Sequence, residues 1–273
     1  MTLTILGTAA AEGWPAMWCA CEACREAWRL GGRNIRRRTA YQLGERIHID
    51  LGPDSFAQML HFGLRYDRLE HLLFTHSHAD HLCPAELHYR APGFVAGEPP
   101  AMLTIHGNAH VVERIRGAGF ALEDCRAQVH RITPFEAIDL GEGVVATPIL
   151  ADHAGADEQA VNYVLERNGR TLLQGNDTGW WPEESWEFLA ARRLDVAIIE
   201  CTYGDHRGGA HHLGAEDVLE VRAELAKLGA LASDCRVIVT HFSHNGRWLH
   251  ERLEAFFAPH GIEVAYDGMT VEL

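Results

Sequence analysis

The residues best suited to do chemistry in this chain stand in one short segment, Thr75-His76-Ser77-His78-Ala79-Asp80-His81. Three imidazoles and one carboxylate fall within it, and such side chains are good ligands for zinc, manganese or iron. Four ligands this close in sequence cannot all reach one ion without strain. We therefore predict that His76 and His78 share one metal, while Asp80 and His81 reach a second.

Three further candidate ligands each follow an apolar segment typical of a strand. They are His153, Asp177 and His241. Catalytic groups gather on loops held by a rigid scaffold, so the recurrence predicts that these residues share one site with the histidine segment. Taken alone, any one of them has a structural role as its alternative.

A second cluster of metal-binding side chains lies near the N-terminus. Cys19, Cys21 and Cys24 place three thiols within six residues. Three soft ligands need only a fourth to close a tetrahedral structural zinc site. His244 is the best fourth ligand, because alternation along its segment can aim it and His241 at different metals. The alternative is three unliganded thiols on a surface loop.

The elements that must position these residues are many strands with helices between them. Predicted strands cover Leu3–Leu6, Ala40–Leu43, Ile47–Asp50, His71–Thr75, Met102–His106, Gly143–Ile149, Ala160–Glu166, Thr171–Gln174, Val196–Ile199, Val237–Thr240, Ile262–Ala265 and Thr270–Glu272. Predicted helices cover Asp54–Phe62, Ala109–Gly117, Glu184–Ala191, Ala215–Leu228 and Gly246–Phe257. The pattern indicates one α/β (α+β) domain over residues 1–273, with two sheets between helical layers.

Composition narrows the classes of function. The chain has 273 residues and is 47% hydrophobic, which is enough for a sizeable core. Its formal net charge of −14 argues against broad binding to nucleic acid or to anionic membranes. A small anionic substrate is still compatible, provided that it meets bound cations directly.

Cysteine usage and the first residues bear on the compartment. The opening segment is of strand type, without a basic region or a long apolar run, and no later segment resembles a membrane span. The seven cysteines do not suggest a disulfide framework. We expect Cys83, Cys125, Cys201 and Cys235 to be buried apolar residues or free thiols, and the protein to be cytoplasmic.

The order and spacing of the candidate ligands resemble the metallo-β-lactamase superfamily over nearly the whole chain. The resemblance implies a four-layer αββα sandwich with a dinuclear metal centre. Asp177 would bridge the two metals, and an aspartate there is the phosphodiesterase-type pattern, since true β-lactamases use a cysteine. By position, one metal would be held by His76, His78 and His153, and the other by Asp80, His81 and His241.

One local feature supports the resemblance and another departs from it. Asp50-Leu51-Gly52 is similar to the short Asp-x-Gly turn of the superfamily, so Asp50 is expected to orient a ligating histidine. The histidine motif is commonly followed by x-x-Gly, whereas here Leu82-Cys83-Pro84 follows. Proline suits the first position of a helix, so we expect a compatible local variant.

The N-terminal Gly7–Pro15 segment, the cysteine loop and the Thr-His-x-Ser-His segment at Thr240–His244 resemble the PhnP-type phosphodiesterases of the carbon–phosphorus lyase pathway. That resemblance implies hydrolysis of small phosphodiesters, cyclic ones such as 5-phosphoribosyl 1,2-cyclic phosphate included, through a hydroxide shared by two metals. The implied cofactors are two divalent cations, zinc or manganese with iron as an alternative, and one structural zinc. A homodimer is reasonable on the same grounds. Cys19, Cys21, Cys24 and His244 match the structural zinc site of that branch.

Catalytic roles fall to His212 and to Asp80, which is also a ligand. His212 aligns with the histidine that such phosphodiesterases place over the scissile phosphate, where it would protonate the leaving oxygen. His211 is the weaker candidate for this role, and Glu200 could lie near the metals. We expect the run Arg36–Arg38 to be a solvated basic turn rather than a phosphate site.

Three rival functions stay open. The cysteine loop also resembles PqqB proteins, which would make the chain a biosynthetic or oxygen-using enzyme with iron at its site. A metal pair activates water without choosing the electrophile, so a carboxylate- or thioester-hydrolase is a second rival. The third is a zinc-stabilised interaction module with vestigial histidines.

Overall fold

The computed structural model describes residues 1–273 and contains fourteen strands and seven α-helices. The strands are β1 (Thr2–Gly7), β2 (Ala40–Leu43), β3 (Ile47–Ile49), β4 (His71–Leu73), β5 (Leu103–Gly107), β6 (Ala127–Arg131), β7 (Ile138–Asp139), β8 (Val144–Leu150), β9 (Val161–Arg167), β10 (Arg170–Gly175), β11 (Leu194–Glu200), β12 (Leu231–Thr240), β13 (Ile262–Val264) and β14 (Thr270–Glu272). The helices are α1 (Glu22–Leu30), α2 (Ser55–Phe62), α3 (Ala85–His88), α4 (Ala109–Arg116), α5 (Glu183–Ala190), α6 (Ala215–Lys227) and α7 (His250–Phe257).

The strands form two mixed sheets of seven strands each. The first has the order β14-β1-β2-β3-β4-β5-β6, and the second has the order β13-β12-β11-β10-β9-β8-β7. Strands β3 to β6 run parallel in the first sheet, and β10 to β13 run parallel in the second. Because neighbouring parallel strands end at the same edge of a sheet, the loops that follow them are brought together.

Three apolar cores separate four layers. Alternate strand residues face opposite ways, so Leu172 and Ile198 enter the core between the sheets, while Leu173 and Ile199 face outward. On the outer face of the second sheet, α1, α5, α6 and α7 contribute to one helical core. On the outer face of the first sheet, α3 and α4 contribute to another. The result is the predicted αββα sandwich. None of the seven helices has the length and apolar character needed to span a membrane.

The structure adds three elements that the sequence patterns did not indicate, and a fourth that the proline did. Strand β6 lies at a sheet edge, is largely exposed and alternates only through Ala127 and Val129, and β7 has two residues, so neither gives a strong strand pattern. Helix α1 begins directly after Cys21, whose sulfur accepts a hydrogen bond from the amide of Cys24 as the N-cap. The short α3 follows Pro84, as the proline indicated.

Helix α7 begins later than predicted. Residues His244–Gly246 form a 3₁₀ turn, and Arg247 adopts a left-handed backbone with φ of 60°. The helix therefore begins at His250 instead of Gly246. This turn is what presents His244 toward the cysteines.

The expectation that Arg36–Arg38 is a solvated basic turn is wrong. Arg36 is 3% exposed, and its guanidinium donates to Thr8 Oγ1 at 2.8 Å and to the carbonyl oxygen of Ala265 at 2.7 Å. Arg38 is paired with Asp54 at 2.9 Å. The run joins the first turns of the chain to its C-terminal strands, so it is structural. A run of basic residues in a sequence does not show which distant carbonyl groups its side chains bind in the folded chain.

One buried histidine makes the fold sensitive to acid. His48 on β3 has no exposed surface, and its Nδ1 donates to Gln42 Oε1 at 2.7 Å. Burial lowers the pKa of His48 from 6.5 to about 3. Between those values the unfolded chain binds a proton that the folded chain refuses, so the free energy of unfolding falls as the pH falls.

We expect His48→Gln to remove this contribution. Between pH 7 and pH 5 the free energy of unfolding of the native sequence should fall by about 2 kcal/mol more than that of the variant, since one fully shifted histidine contributes about 1.4 kcal/mol per pH unit below 6.5. Urea denaturation at the two pH values measures both. His61→Gln, at an exposed position on α2, is the matched control. Equal pH dependence in His48→Gln and the native sequence would contradict the assignment.

Candidate metal centre

The candidate ligands lie together where strands of both sheets end. The segment Thr75–His81 follows β4, and Asp50 follows β3 in the same sheet. From the second sheet, His153 follows β8, Asp177 follows β10, and His241 follows β12.

Three of these residues leave their strands with an unusual backbone. Asp50, Asp177 and His241 have φ of 61°, 49° and 58°, in the left-handed region that non-glycine residues rarely adopt. Such a conformation costs on the order of 1–3 kcal/mol and persists only where the surrounding contacts enforce it. The left-handed residues turn the chain sharply at the strand ends, where the candidate ligand atoms of both sheets meet.

The ligand atoms converge in overlapping sets whose members lie within 4.8 Å of one another. Among them, His81 Nε2 lies 2.8 Å and His241 Nε2 lies 3.1 Å from Asp177 Oδ2. The sets include His76, His78 and His153; His76, His81 and Asp177; Asp80, His81 and His241; and His153, Asp177 and His212. All seven residues named from the sequence as active-site ligands are thus brought to one place.

The donor atoms themselves fit a cation site. His76 Nε2, His81 Nε2, His241 Nε2 and Asp177 Oδ2 are buried and make no hydrogen bond, although they face one another closely. Buried polar atoms are nearly always paired, because an unpaired one costs about 1–3 kcal/mol. Nitrogen and carboxylate atoms that converge without bonding each other are suited to divalent metal ions, which the residues present could therefore hold.

The opposite ring nitrogen of each buried ligand histidine is already engaged. His81 Nδ1 donates to Asp50 Oδ2 at 2.7 Å, and His241 Nδ1 donates to Thr202 Oγ1 at 2.9 Å. Similarly, His76 Nδ1 donates to Thr75 Oγ1 at 3.0 Å and His153 Nδ1 to the carbonyl oxygen of His211 at 3.3 Å. These bonds fix the neutral tautomer, in which each Nε2 is the unprotonated nitrogen that a metal can bind.

Asp50 organises the histidine segment from behind. Its carboxylate accepts from the amide of Thr75 at 2.9 Å and from Thr75 Oγ1 at 2.9 Å, in addition to His81. Two residues on, Gly52 lies so close to the carbonyl oxygen of Asp80 that a Cβ there would collide with it. The Asp-x-Gly turn therefore serves both to bind the segment and to let it approach.

The ionisation of two ligands matches this chemistry. Burial alone would raise the pKa of Asp177, but the facing His241 and His81 hold it well below its ordinary value. Burial, together with the neighbouring His81, lowers the pKa of His76 well below its ordinary value. An anionic carboxylate and a neutral imidazole are the forms in which these groups bind metals. For a third ligand, burial opposes a charge, but the carboxylates of Asp80, Asp177 and Asp50 raise the pKa of His81 well above its ordinary value.

Glu200 is the site residue whose role the sequence did not reveal. It is fully buried at the end of β11, and its carboxylate accepts from the amides of Thr178, Thr202 and Leu213 at 3.0, 3.0 and 3.1 Å. It also accepts from His212 Nδ1 at 2.7 Å. Its position is the feature by which the sequence could have identified Glu200, because it ends an apolar strand that lies between the strands leading to Asp177 and His241.

His212 is placed beside the metal ligands. Its ring centroid lies 4.9 Å from that of His153 and 6.0 Å from that of His241, on which it stacks. Burial opposes a charge on this ring, but the hydrogen bond and negative charge of Glu200 raise the pKa of His212 to about 9. His211 acts through its backbone instead, because its carbonyl oxygen bonds His153 while its own ring pairs with Asp152 at 3.2 Å.

The cysteine cluster also assembles with His244. The ligand atoms of Cys19, Cys21, Cys24 and His244 lie within 4.8 Å of one another. His244 Nδ1 is 3.7 Å from Cys19 Sγ and 3.5 Å from Cys21 Sγ. Burial opposes the thiolate, but hydrogen bonds from the Cys24 amide and from His244 lower the pKa of Cys21 to about 7. Three sulfurs and one imidazole nitrogen suit a tetrahedral zinc.

These features define the class of the protein. The profile of the β-lactamase superfamily domain matches residues 45–242, well over half of the chain. The chain therefore belongs to the metallo-β-lactamase superfamily, and with its converging ligands it is a metal-dependent hydrolase of that fold. A search of curated proteins gives no significant match.

Several solved structures share this fold over the whole chain. A diphosphatase of the PhnP family is similar at 24% identity and a TM-score of 0.77, over 100% of this chain and 97% of that one. Zinc-bound PqqB from Methylobacterium extorquens is similar at 20% identity and a TM-score of 0.76, over 100% of both chains. The short form of human tRNase Z has 18% identity and a TM-score of 0.66, over 100% and 99%. The predicted resemblance to the PhnP type is confirmed.

We expect Asp50→Asn to weaken metal binding. An amide cannot accept from Thr75 and His81 in the same way, so the orientation of His81 is lost, and such changes typically cost 10–100-fold in affinity. Zinc titration against a chelating dye measures the change. Asp54→Asn is the control, because Asp54 pairs with Arg38 and contacts no candidate ligand. Unchanged affinity in Asp50→Asn would contradict the role.

Proposed function

We propose that the protein hydrolyses small phosphodiesters at a centre of two divalent cations. The observation that carries the proposal is the position of Asp177 between the two ligand sets. Its Oδ1 is 3.7 Å from His153 Nε2, while its Oδ2 faces His81 and His241. A carboxylate that faces both sets can bridge two cations.

Each half of the centre would be held by residues of this chain. Two divalent cations, when bound, activate water and neutralise the charge that develops on phosphoryl oxygens. Zinc or manganese suits the ligands, with iron as the alternative. One half would be built by His76, His78 and His153, and the other by Asp80, His81 and His241, with Asp177 shared.

His212 is the proposed proton donor to the leaving oxygen. Its Nδ1 donates to Glu200 at 2.7 Å, and because the pKa of His212 is raised to about 9, the cationic ring carries its second, transferable proton on Nε2. A general acid must lie within hydrogen-bond reach of the reacting oxygen, and His212 stands beside His153 and His241 at the centre. Its partial exposure of 21% gives a substrate access to it.

The surroundings favour a small substrate that binds through the metals. A cavity of about 470 Å³ adjoins the centre and is lined by residues including Asp152, His153, Gly155 and His211. That volume suits a small molecule. With a net charge of −14, the chain attracts an anion only where bound cations reverse the local field.

The solved relatives support a phosphorus-centred reaction. One is named as a diphosphatase and another as a tRNase Z. We further propose, as the sequence indicated, that phosphodiesters with a cyclic ribosyl phosphate are included, that the cysteine cluster holds structural zinc, and that the protein acts in the cytoplasm. A reducing compartment keeps thiolates available for that zinc.

The second candidate function is a biosynthetic or oxygen-using activity of PqqB type. The observation in its favour is the full-length likeness to zinc-bound PqqB, with a TM-score of 0.76. The preserved set of seven ligands favours the phosphodiesterase instead.

The decisive test is hydrolysis of bis(p-nitrophenyl) phosphate by protein loaded with zinc or manganese. We expect turnover in the native sequence and a loss of at least 100-fold in Asp177→Ala, because the shared ligand is gone. Asp157→Ala, an exposed aspartate outside the ligand set, is the control. A fully loaded protein that releases no p-nitrophenolate would remove the proposal and advance the PqqB-type activity.

The role of His212 can be tested by the leaving group. Alkoxide leaving groups need a proton, so His212→Ala should reduce kcat on a ribose cyclic phosphate by about 10²–10⁴-fold. The acidic p-nitrophenol leaves as the anion, so the same variant should lose far less on bis(p-nitrophenyl) phosphate. Metal content is measured alongside. An equal loss on both substrates would show that His212 does not protonate the leaving oxygen.

A further inference from the structure

Ser77 stands between the ligands His76 and His78 and is held by one carboxylate from the other sheet. Glu158 Oε1 accepts from the amide of Ser77 at 2.8 Å, and Oε2 accepts from Ser77 Oγ at 2.7 Å. Ser77 is 7% exposed. Glu158 lies in the loop that leads from His153 to β9, so it connects the two loops that supply His76, His78 and His153.

Helix α4 reinforces the same contact. Asn108, the N-cap of α4, donates to Glu158 Oε1 at 2.8 Å, and Arg114 on the helix donates to the carbonyl oxygen of Ser77. Both polar groups of the Ser77 backbone are therefore bound. Ser77 is joined to His76 and His78 by its two peptide bonds. Hydrogen bonds to both of its backbone groups therefore also restrain the backbone positions of His76 and His78.

His78 has the greatest need of such support. It is the exposed member of the ligand set, and its Nδ1 faces only His153 Nε2, at 3.2 Å. The buried ligands are oriented by bonds to Asp50, Thr75, Thr202 or a backbone carbonyl, whereas His78 has no comparable partner. Its position depends on its backbone.

We infer that Glu158 is a positioning residue that selectively maintains the metal site of His76, His78 and His153. The inference rests on the proposed dinuclear centre. The Glu158 carboxylate bonds only Ser77 and Asn108. In the other half of the centre, Asp50 orients His81 and Thr202 orients His241. Loss of Glu158 should therefore weaken one of the two cation sites and spare the other.

The chemistry of the contact allows a sharp choice of variants. Glu158→Gln keeps one oxygen to accept from the Ser77 amide and Asn108, and its NH₂ can donate to Ser77 Oγ after the hydroxyl rotates. Glu158→Ala removes every acceptor. If hydrogen-bonded positioning matters, glutamine preserves metal binding, whereas alanine does not. Asp157→Ala, an exposed acidic neighbour that makes no side-chain hydrogen bond, is the matched control.

The experiment is a zinc titration of the full-length chain against a chelating dye, with bound metal counted by mass spectrometry. We expect Glu158→Ala to weaken one active-site equivalent by 10–100-fold, with the second and the cysteine-bound equivalent unchanged. Glu158→Gln should stay within about threefold of the native affinity. In a His153→Ala background, which already lacks that site, Glu158→Ala should have no added effect, since the two changes act on the same site.

Thermal unfolding of each variant separates positioning from stability. A lower Tm in Glu158→Ala with both active-site affinities unchanged would overturn the inference, and so would equal weakening of both equivalents. A native protein that binds fewer than two active-site equivalents would overturn it together with the dinuclear centre. A positive zinc result with no phosphodiester turnover would support the positioning role and reject only the proposed substrate.

Discussion

The candidate metal centre depends on the hydrogen bonds that the buried carboxylate of Asp50 accepts. A carboxylate with no exposure is stable only when its oxygens are well bonded, and Asp50 meets this requirement with Thr75 and His81. The bonds that satisfy Asp50 are the same bonds that fix the start of the histidine segment and orient one of its ligands. The contacts that stabilise this part of the interior therefore also position the site.

The same arrangement recurs around the centre. Glu200 accepts hydrogen bonds from three backbone amides and from His212. Glu158 accepts hydrogen bonds from Ser77 and Asn108, next to His76 and His78. In each case an acidic side chain satisfies the donors of an irregular loop where no strand can. The loops then have little freedom to move when cations or substrate bind, which favours a preorganised site.

The architecture explains why these loops meet. Parallel strands in both sheets end toward one edge, and the left-handed residues Asp50, Asp177 and His241 turn the chain sharply there. Histidine nitrogens and aspartate oxygens are consequently directed into a shared space without mutual hydrogen bonds. Strain in the backbone and unpaired polar atoms both cost free energy, and bound cations would offset the second cost.

The sequence by itself determined which residues are candidate ligands and the kind of fold. The histidine motif, and the ligands that end apolar strands, are local patterns, and the alternation within strands such as β11 is local as well. The assembly of Cys19, Cys21, Cys24 and His244 was also predicted, because three closely spaced thiols need a fourth partner.

Only the tertiary structure decided what stands behind the ligands. Ser77 and Glu158 are 81 residues apart, and Arg36 and Ala265 are 229 apart, so no periodicity connects them. Helix α1 was not predicted because the cysteine motif obscured its helical pattern. Strand β6 was not predicted because its exposure at a sheet edge leaves it few apolar residues. In the sequence, Glu200 is one acidic residue at the end of a strand. Its contact with the loop that carries His212 is visible only in the folded chain. Ligand identity is a property of single residues, whereas their orientation depends on contacts that exist only after the two sheets pack together.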